Sequence, residues 1–387
     1  MERLTSEKTF YYARQYIDNS DIKAVTDVMK SDYLTCGPKT IELEKKLSEL
    51  TKSKYAAAVS SGTAALHAAC NAAGISDGDE VITTPITFAA TANSILYCGG
   101  RPVFADINPE TYNISPQSIR EHITDKTKAV IAVDFTGQAA ELDEICEICR
   151  NHKLLLIEDA AHAIGTKYNS LPVGNIADMT IFSFHAVKTV TGAEGGAVVT
   201  NNDSFYEKII KFRTHGITRD IPQISYEPWF YQQNELGYNY RLNDIQAALI
   251  ISQLSKLGLF IKRRKEIVNK YNEAFSYVPE IILQKEIPQS DTSRHLYVLR
   301  LDLSKLKADR RQIYEALKEE NIICNVHYIP VYFHDYYKKL GYHKGLCPQA
   351  EKFYEEILTI PLYYSLTDDD VAYIIKSVKK VIELYKK

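Results

Sequence analysis

The chain reads as an α/β protein with a large domain on a mainly parallel seven-stranded sheet and a smaller α+β domain at its C-terminal end. Three observations predict this. Between about residues 53 and 200, short apolar runs alternate with helical patterns, as βαβ units do. The runs are continuous rather than alternating, as in Leu154-Leu155-Leu156-Ile157, which suits strands covered on both faces. After Pro279 the alternation gives way to strand, helix, strand and two helices. The division is expected at 1–260 and 261–387.

Taken in order, the strands are predicted at 55–59, 80–83, 102–105, 129–134, 154–158, 179–184 and 196–200. Capping residues mark the helices between them: after Ser60-Ser61-Gly62-Thr63, near Thr87, at Ser115 and at Asp203. Apolar periodicity predicts two long helices at 241–257 and 261–275, the second leading out of the large domain. A strand at 296–301, a helix at 309–319, a strand near 324–327 and helices at 348–357 and 368–385 complete the chain. The segment 217–235, rich in Pro, Gln, Tyr and Trp, reads as a long irregular loop, a length that usually signals function or a partner.

Composition narrows the function. With 387 residues, 45% hydrophobic and 25% charged, the chain can bury a large core and a smaller one. A net charge of −3 without blocks of like charge gives no reason to expect nucleic acid. The N-terminal residues lack an apolar signal core and no stretch approaches 18 uninterrupted apolar residues, so no membrane association and a cytoplasmic location are expected. The seven cysteines are scattered and read as reduced thiols. Cys146-x-x-Cys149 lies within a helical pattern without a second pair and reads as core, so no metal site is expected.

Chemistry is carried by Asp159 and Lys188, 29 residues apart, each at the end of a predicted buried strand. That is where catalytic groups gather in parallel α/β sheets. A lysine that can bond an aldehyde and an aspartate that can keep a pyridine nitrogen protonated are the two poles of a pyridoxal phosphate (PLP) site. Ser61, Gly62 and Thr63 join a strand end to a helix start, where free N–H groups and hydroxyls can hold the cofactor phosphate. Ser183, five residues before Lys188, offers a second phosphate hydroxyl or a backbone-bonded one. Phe88 is a candidate to stack on the ring or to serve as core. His162 could orient Asp159, lie near the ring oxygen or be structural. The glycines of 192–196 fit a turn, and no dinucleotide or P-loop motif is present.

Beyond these residues, the runs Glu158-Asp159-Ala160-Ala161-His162-Ala163, Ser183-Phe184-His185 with Lys188, Glu194-Gly195-Gly196 and Gly237-Tyr238-Asn239-Tyr240-Arg241-Leu242 resemble the DegT-type sugar-nucleotide aminotransferases, PLP enzymes of fold type I. The resemblance covers nearly the whole chain, from Leu34-Thr35-x-Gly37 to Val326-His327-Tyr328. It implies a homodimer in which Asn239 crosses to the partner's cofactor phosphate with Arg241 beside it. It also implies a substrate rim of Tyr12, Asp32, Tyr33, Leu34 and Thr35 from the N-terminal segment, and of Asn325, Val326, His327 and Tyr328 from the second domain.

Within the family, 84–88, 184–188 and 193–201 are most similar to the pseudaminic-acid branch. That branch implies transfer of an amino group from L-glutamate to C4 of UDP-2-acetamido-2,6-dideoxy-β-L-arabino-hexos-4-ulose, in a pathway that serves flagellin glycosylation. Gly62 departs from that branch, where Ala is common, and agrees with the broad family. Bacillosamine- or perosamine-type keto sugars are the alternative substrates. A sugar 3-dehydratase of the same fold would carry His in place of Lys188, and a non-catalytic regulator of this fold would lack the poles that Lys188 and Asp159 supply.

Overall fold

The computed structural model describes residues 8–219 and 227–387. Two helices that the sequence reading does not anticipate precede the central sheet: α1 (Asn19–Met29) and α2 (Pro38–Thr51). Each has a local cause. Asp18 caps α1 by accepting from the Ser20 and Asp21 amides while the Asp21 carboxylate takes the Asp18 amide. Pro38 stands at the first turn of α2, where its missing N–H costs nothing.

The central sheet has seven strands, in the order Tyr55–Val59, Gly196–Thr200, Met179–Ser183, Leu155–Asp159, Thr127–Val133, Glu80–Thr83, Arg101–Phe104. All run parallel except Gly196–Thr200, which is antiparallel to both neighbours. The expected mainly parallel sheet is therefore present, with each strand end within two residues of its predicted place. Helices α3 (Gly62–Ala72), α4 (Ala90–Tyr97), α5 (Pro116–His122) and α6 (Leu142–His152) link these strands, and α7 (Asp203–Phe212) follows the last of them. Cys149 on α6 is buried in the core with Cys146 packed beside it, both as free thiols.

Three expectations change. The helix expected at 241–257 is α8 (Asp244–Leu254), because Asn243 caps it and Tyr240 and Arg241 instead run extended beside the first strand. There the Ser60 amide donates to the Tyr240 carbonyl at 2.8 Å. Within the segment 217–235, Ile217–Thr218 pairs with Gln232–Gln233 as a short antiparallel ribbon, and residues 220–226 lie outside the described residues. The strand expected at 324–327 is shorter and earlier, Ile322–Ile323, and only Asn325 makes a bridge, to Thr359.

The long α9 (Leu257–Phe275) leads to α10 (Arg310–Glu319), α11 (Asp335–Lys339), α12 (Pro348–Glu356) and α13 (Asp368–Tyr385). α12 stops at Glu356 because the branched residues of Ile357–Ile360 pair as a strand with Tyr297–Leu301. A core of Ile267, Tyr271, Leu299, Leu317, Val378 and their neighbours lies under these helices, and it includes Phe10 from the start of the chain. Phe10–Tyr11 runs parallel to Ile322–Ile323. From α9 the buried Arg264 guanidinium donates to the carbonyls of Arg294, His295 and Leu362, tying three segments together. Among the described residues no single helix is long and apolar enough to cross a membrane.

Candidate active site

Parallel pairing, together with the two antiparallel pairings of Gly196–Thr200, brings the carboxyl ends of the Tyr55–Val59, Met179–Ser183, Leu155–Asp159, Thr127–Val133 and Glu80–Thr83 strands to one edge of the sheet. The reversed strand begins at the same edge with Gly196, opposite Val59 and Ser183. A cavity of about 570 Å³ opens there. Its walls include Ser61, Gly62, Thr63, Phe88, Asp159, His162, Ser183 and Lys188 from the sheet edge. Tyr12 and the run Asn325, Val326, His327, Tyr328 close it from the other side.

Asp159 is 4% exposed. Its Oδ2 accepts from the Thr91 hydroxyl at 2.7 Å and its Oδ1 from the Ala161 amide at 3.2 Å. Burial raises its pKa, and the two donors and the Lys188 charge oppose that rise. Lys188 faces the converse problem. Desolvation pushes its ammonium down to about 8, against the pull of Asp159. A cavity lysine with a depressed pKa beside a buried carboxylate is chemically poised, the amine for bonding to a carbonyl carbon and the carboxylate for holding a proton on a ring nitrogen.

Ser61 caps α3, its Oγ accepting from the Ala64 amide at 3.1 Å, so its own O–H stays free to donate. The backbone crowds closely here. A Cβ at Gly62 would lie 2.9 Å from the Ser183 Cβ, and one at Gly196 would lie 2.3 Å from the Ser61 carbonyl oxygen. The turn thus presents hydroxyls and helix-end amides with no side chain over them, a cradle that fits a phosphate. The Ser183 hydroxyl accepts a long contact of 3.4 Å from the His185 amide.

His162 is buried, and its Nε2 shares a 3.1 Å hydrogen bond with the Tyr328 hydroxyl while Nδ1 has no protein partner. Burial and the Lys188 charge hold it well below the usual imidazole range, so it is neutral at pH 7. Phe88 is 63% exposed at the mouth, its ring 6.3 Å from that of Tyr328. His327 is fixed by Thr359 Oγ1 at 2.8 Å, its ring 5.0 Å from that of Tyr12. Burial takes the His327 imidazole down to about 3.

Behind Asp159 lie two further buried carboxyls, Asp134 and Glu158. Asp134 accepts from the Ala140 amide at 3.0 Å and Glu158 from the Thr180 hydroxyl at 2.7 Å. The two carboxyls also hydrogen-bond each other, and Glu158 accepts from the Gly174 backbone. Burial raises both pKa values, Asp134 well above the carboxylate range.

The remaining predicted residues sit elsewhere. Asp32, Tyr33, Leu34 and Thr35 are exposed and Arg241 is half-buried, and neither they nor the exposed Asn239 line this chain's cavity. They are nevertheless neighbours. Asp244 takes the Gly37 amide at 2.6 Å and the Thr40 amide at 2.8 Å, its own amide donates to the Leu34 carbonyl, and Thr35 bridges Asn243. Sequence reasoning missed Thr91, which holds Asp159, and His295, whose ring lies 4.5 Å from that of His162 in the cavity wall. The hydroxyl of Thr91, in the first turn of the helix that follows the 80–83 strand, was the available signal for the first. Nothing local marks His295.

Comparison with known proteins places the chain in a family. The model of the DegT/DnrJ/EryC1/StrS aminotransferase family matches residues 15–379. The spore coat polysaccharide biosynthesis protein SpsC of Bacillus subtilis is 40% identical over 376 residues, covering 96% of this chain and 97% of its own. The UDP-4-amino-4,6-dideoxy-N-acetyl-beta-L-altrosamine transaminase of Campylobacter jejuni is 38% identical over 379 residues, 97% of this chain and 98% of that one. Among solved structures, Helicobacter pylori PseC, described as an aminotransferase of pseudoaminic acid biosynthesis, superposes with a TM-score of 0.92 at 34% identity, covering 98% of this chain and all of that one. A Streptococcus pneumoniae relative at 32% identity has been solved in PLP and PMP forms.

Proposed function

The chain belongs to the DegT/DnrJ/EryC1/StrS aminotransferase family, and from that premise we propose that it moves an amino group from L-glutamate to C4 of UDP-2-acetamido-2,6-dideoxy-β-L-arabino-hexos-4-ulose. It is a PLP-dependent transaminase of the fold type I class. One observation carries the chemistry: Lys188, Asp159, Ser61 and Ser183, scattered over 128 residues, converge on one cavity. When bound, PLP supplies the electron sink that makes a carbon next to nitrogen acidic.

The chain's own residues do the rest. Lys188 would hold the group and, as a free amine, would take the proton from the donor's α-carbon as base and deliver it as acid to the carbon that was the aldehyde, leaving the amino group behind as the keto acid departs. Asp159 keeps the ring nitrogen protonated. Ser61, Ser183 and the first amides of α3 would hold the phosphate, with Phe88 toward the ring and His162 toward its oxygen. The wall of Tyr12 and 325–328 meets the sugar and excludes water from the proton transfers.

Completing the site with a second copy is part of the same reading. The exposure of Asn239 and of 32–35, away from this chain's own cavity, supports their serving a partner's. A mixing experiment tests it: Lys188→Ala and Asn239→Ala proteins, each inactive, should regain about a quarter of wild-type activity on subunit exchange, since half the dimers would be mixed and each would hold one intact site. No recovery despite exchange would rule out shared sites.

The sugar assignment leans on the 38% identity to the Campylobacter enzyme. The 40% identity to SpsC keeps a second nucleotide-linked keto sugar in play. Purified protein should be yellow, bleach with L-glutamate and recover its colour with the 4-keto sugar. Absence of bleaching would refute the glutamate-dependent transfer. Parallel NMR assays with the L-arabino and D-xylo 4-keto UDP sugars decide the substrate, and exclusive turnover of the D-xylo isomer would overturn the assignment.

A further inference from the structure

Asp159 is held by a side chain that lies on a different element from its own. Thr91, in the first turn of α4, is 1% exposed and donates to Asp159 Oδ2 at 2.7 Å. Thr87 Oγ1 lies 2.8 Å from Thr91 Oγ1, and both line the cavity. We propose that Thr87 and Thr91 form a one-way hydroxyl chain that positions Asp159, with Thr87 donating to Thr91 and Thr91 donating to the carboxylate. The inference rests on reading Asp159 as the partner of the ring nitrogen.

The direction follows from counting hydrogens. An ionised carboxylate only accepts, so the single Thr91 hydroxyl hydrogen is committed to Oδ2. The contact between the two hydroxyls then requires the hydrogen of Thr87. With the Ala161 amide on Oδ1, each oxygen of Asp159 has one fixed donor, and the two donors come from different elements. The carboxyl plane cannot turn without breaking one of them.

Both donors are also geometrically stiff. Threonine is restricted at χ1, and the Thr91 carbonyl is pinned by the Ser94 hydroxyl at 2.7 Å. A carboxylate in so dry a place keeps its charge only while such donors hold it. Thr91 is thus a positioning residue that acts through Asp159.

Thr91→Val preserves the branched shape and removes the hydrogen. Four quantities are read: equilibrium PLP binding to the apoprotein, the pH midpoint of the visible band of bound cofactor, the split between kcat and KM, and apoprotein melting. The loss of one hydrogen bond to a charged group predicts roughly tenfold weaker PLP binding and a kcat lower by roughly ten- to a hundredfold, with KM changed by less than about threefold. The band midpoint should shift. Thr91→Ser should recover most of the loss, and Thr87→Val should produce a smaller loss in the same direction.

The chain is refuted if Thr91→Val keeps the wild-type midpoint and PLP affinity, or if Thr91→Ser is as impaired as Thr91→Val, since packing of the methyl group would then be the cause. Should Thr91→Val fail to fold, Thr91→Ser and Thr87→Val carry the same comparison. Asp159→Asn separates the inference from its premise. If that variant keeps normal affinity, spectrum and turnover, the role of Asp159 itself falls; if it fails while Thr91→Val is normal, only the hydroxyl chain falls.

Discussion

Gly196→Ala should cripple cofactor binding while lowering stability only modestly. The added Cβ would sit 2.3 Å from the Ser61 carbonyl oxygen, 2.5 Å from its carbon and 2.8 Å from the Gly62 nitrogen. All three are backbone atoms, so no side chain can swing away. Restoring ordinary contact at 3.4 Å demands that the Ser61-Gly62 turn retreat from the sheet by about 1 Å. Such overpacking costs about 1–3 kcal/mol. With an unfolding entropy of about 0.8 kcal/mol/K for a chain of 387 residues, that is a fall in Tm of only about 1–4 °C. The phosphate cradle moves by the same ångström, a misplacement that costs on the order of a hundredfold in a preorganised site. PLP titration of the apoprotein and thermal melting measure the two effects separately. Gly258→Ala is the control: it lies in α9, has nothing within 4 Å of an added Cβ, and should melt at or slightly above wild type. If Gly196→Ala binds PLP as wild type does and melts like Gly258→Ala, the close approach of strand and turn is not what shapes the cradle.

Further outcomes follow from the same geometry. Only the neutral form of Lys188 can bond an aldehyde, and its pKa of about 8 makes PLP association with the apoprotein accelerate as pH rises from 7 to 9; a flat rate across that range in stopped-flow absorbance would contradict it. The raised pKa of Asp134 means that the unfolded chain gives up this proton first, so its stabilising contribution is present at low pH and lost as pH rises toward the folded value. Asp134→Asn, neutral throughout, should therefore gain in Tm relative to wild type between pH 5 and 8, and a difference that is constant with pH would count against the buried-proton account. Arg264→Met leaves the carbonyls of Arg294, His295 and Leu362 without their shared charged donor and should cost on the order of 3 kcal/mol in denaturant unfolding; a loss below about 1 kcal/mol would show that the guanidinium is not the tie it resembles.

The large sheet and the poles of the site were legible because both are local signals. The strands are mostly apolar, Asp159 and Ser183 close two of them, and Lys188 follows five residues after Ser183. What was hidden depends on contacts between distant segments. Thr91 matters only because parallel pairing puts the end of Leu155–Asp159 beside the helix that follows Glu80–Thr83. Arg241 looks helical by periodicity, yet its pairing with Val59, beside the Ser60–Tyr240 bond, keeps it extended until Asn243 can cap α8. His295 owes its place to Arg264, 31 residues earlier, holding its carbonyl. The α1 and α2 boundaries were readable in principle from Asp18 and Pro38, whose capping chemistry is entirely local.

The pairing of Phe10–Tyr11 with Ile322–Ile323 has a consequence for synthesis. Every strand of the central sheet lies before residue 201 and can find its neighbours early, whereas Phe10 waits for a partner about 310 residues further along. At roughly 5–20 residues per second, the ribosome takes about 15–60 s to supply it. Over roughly the last 120 residues of that interval the nascent chain can carry a finished sheet while Phe10 is still unsheltered, and the wall of the cavity that includes Tyr12 is among the last parts of the molecule to assemble.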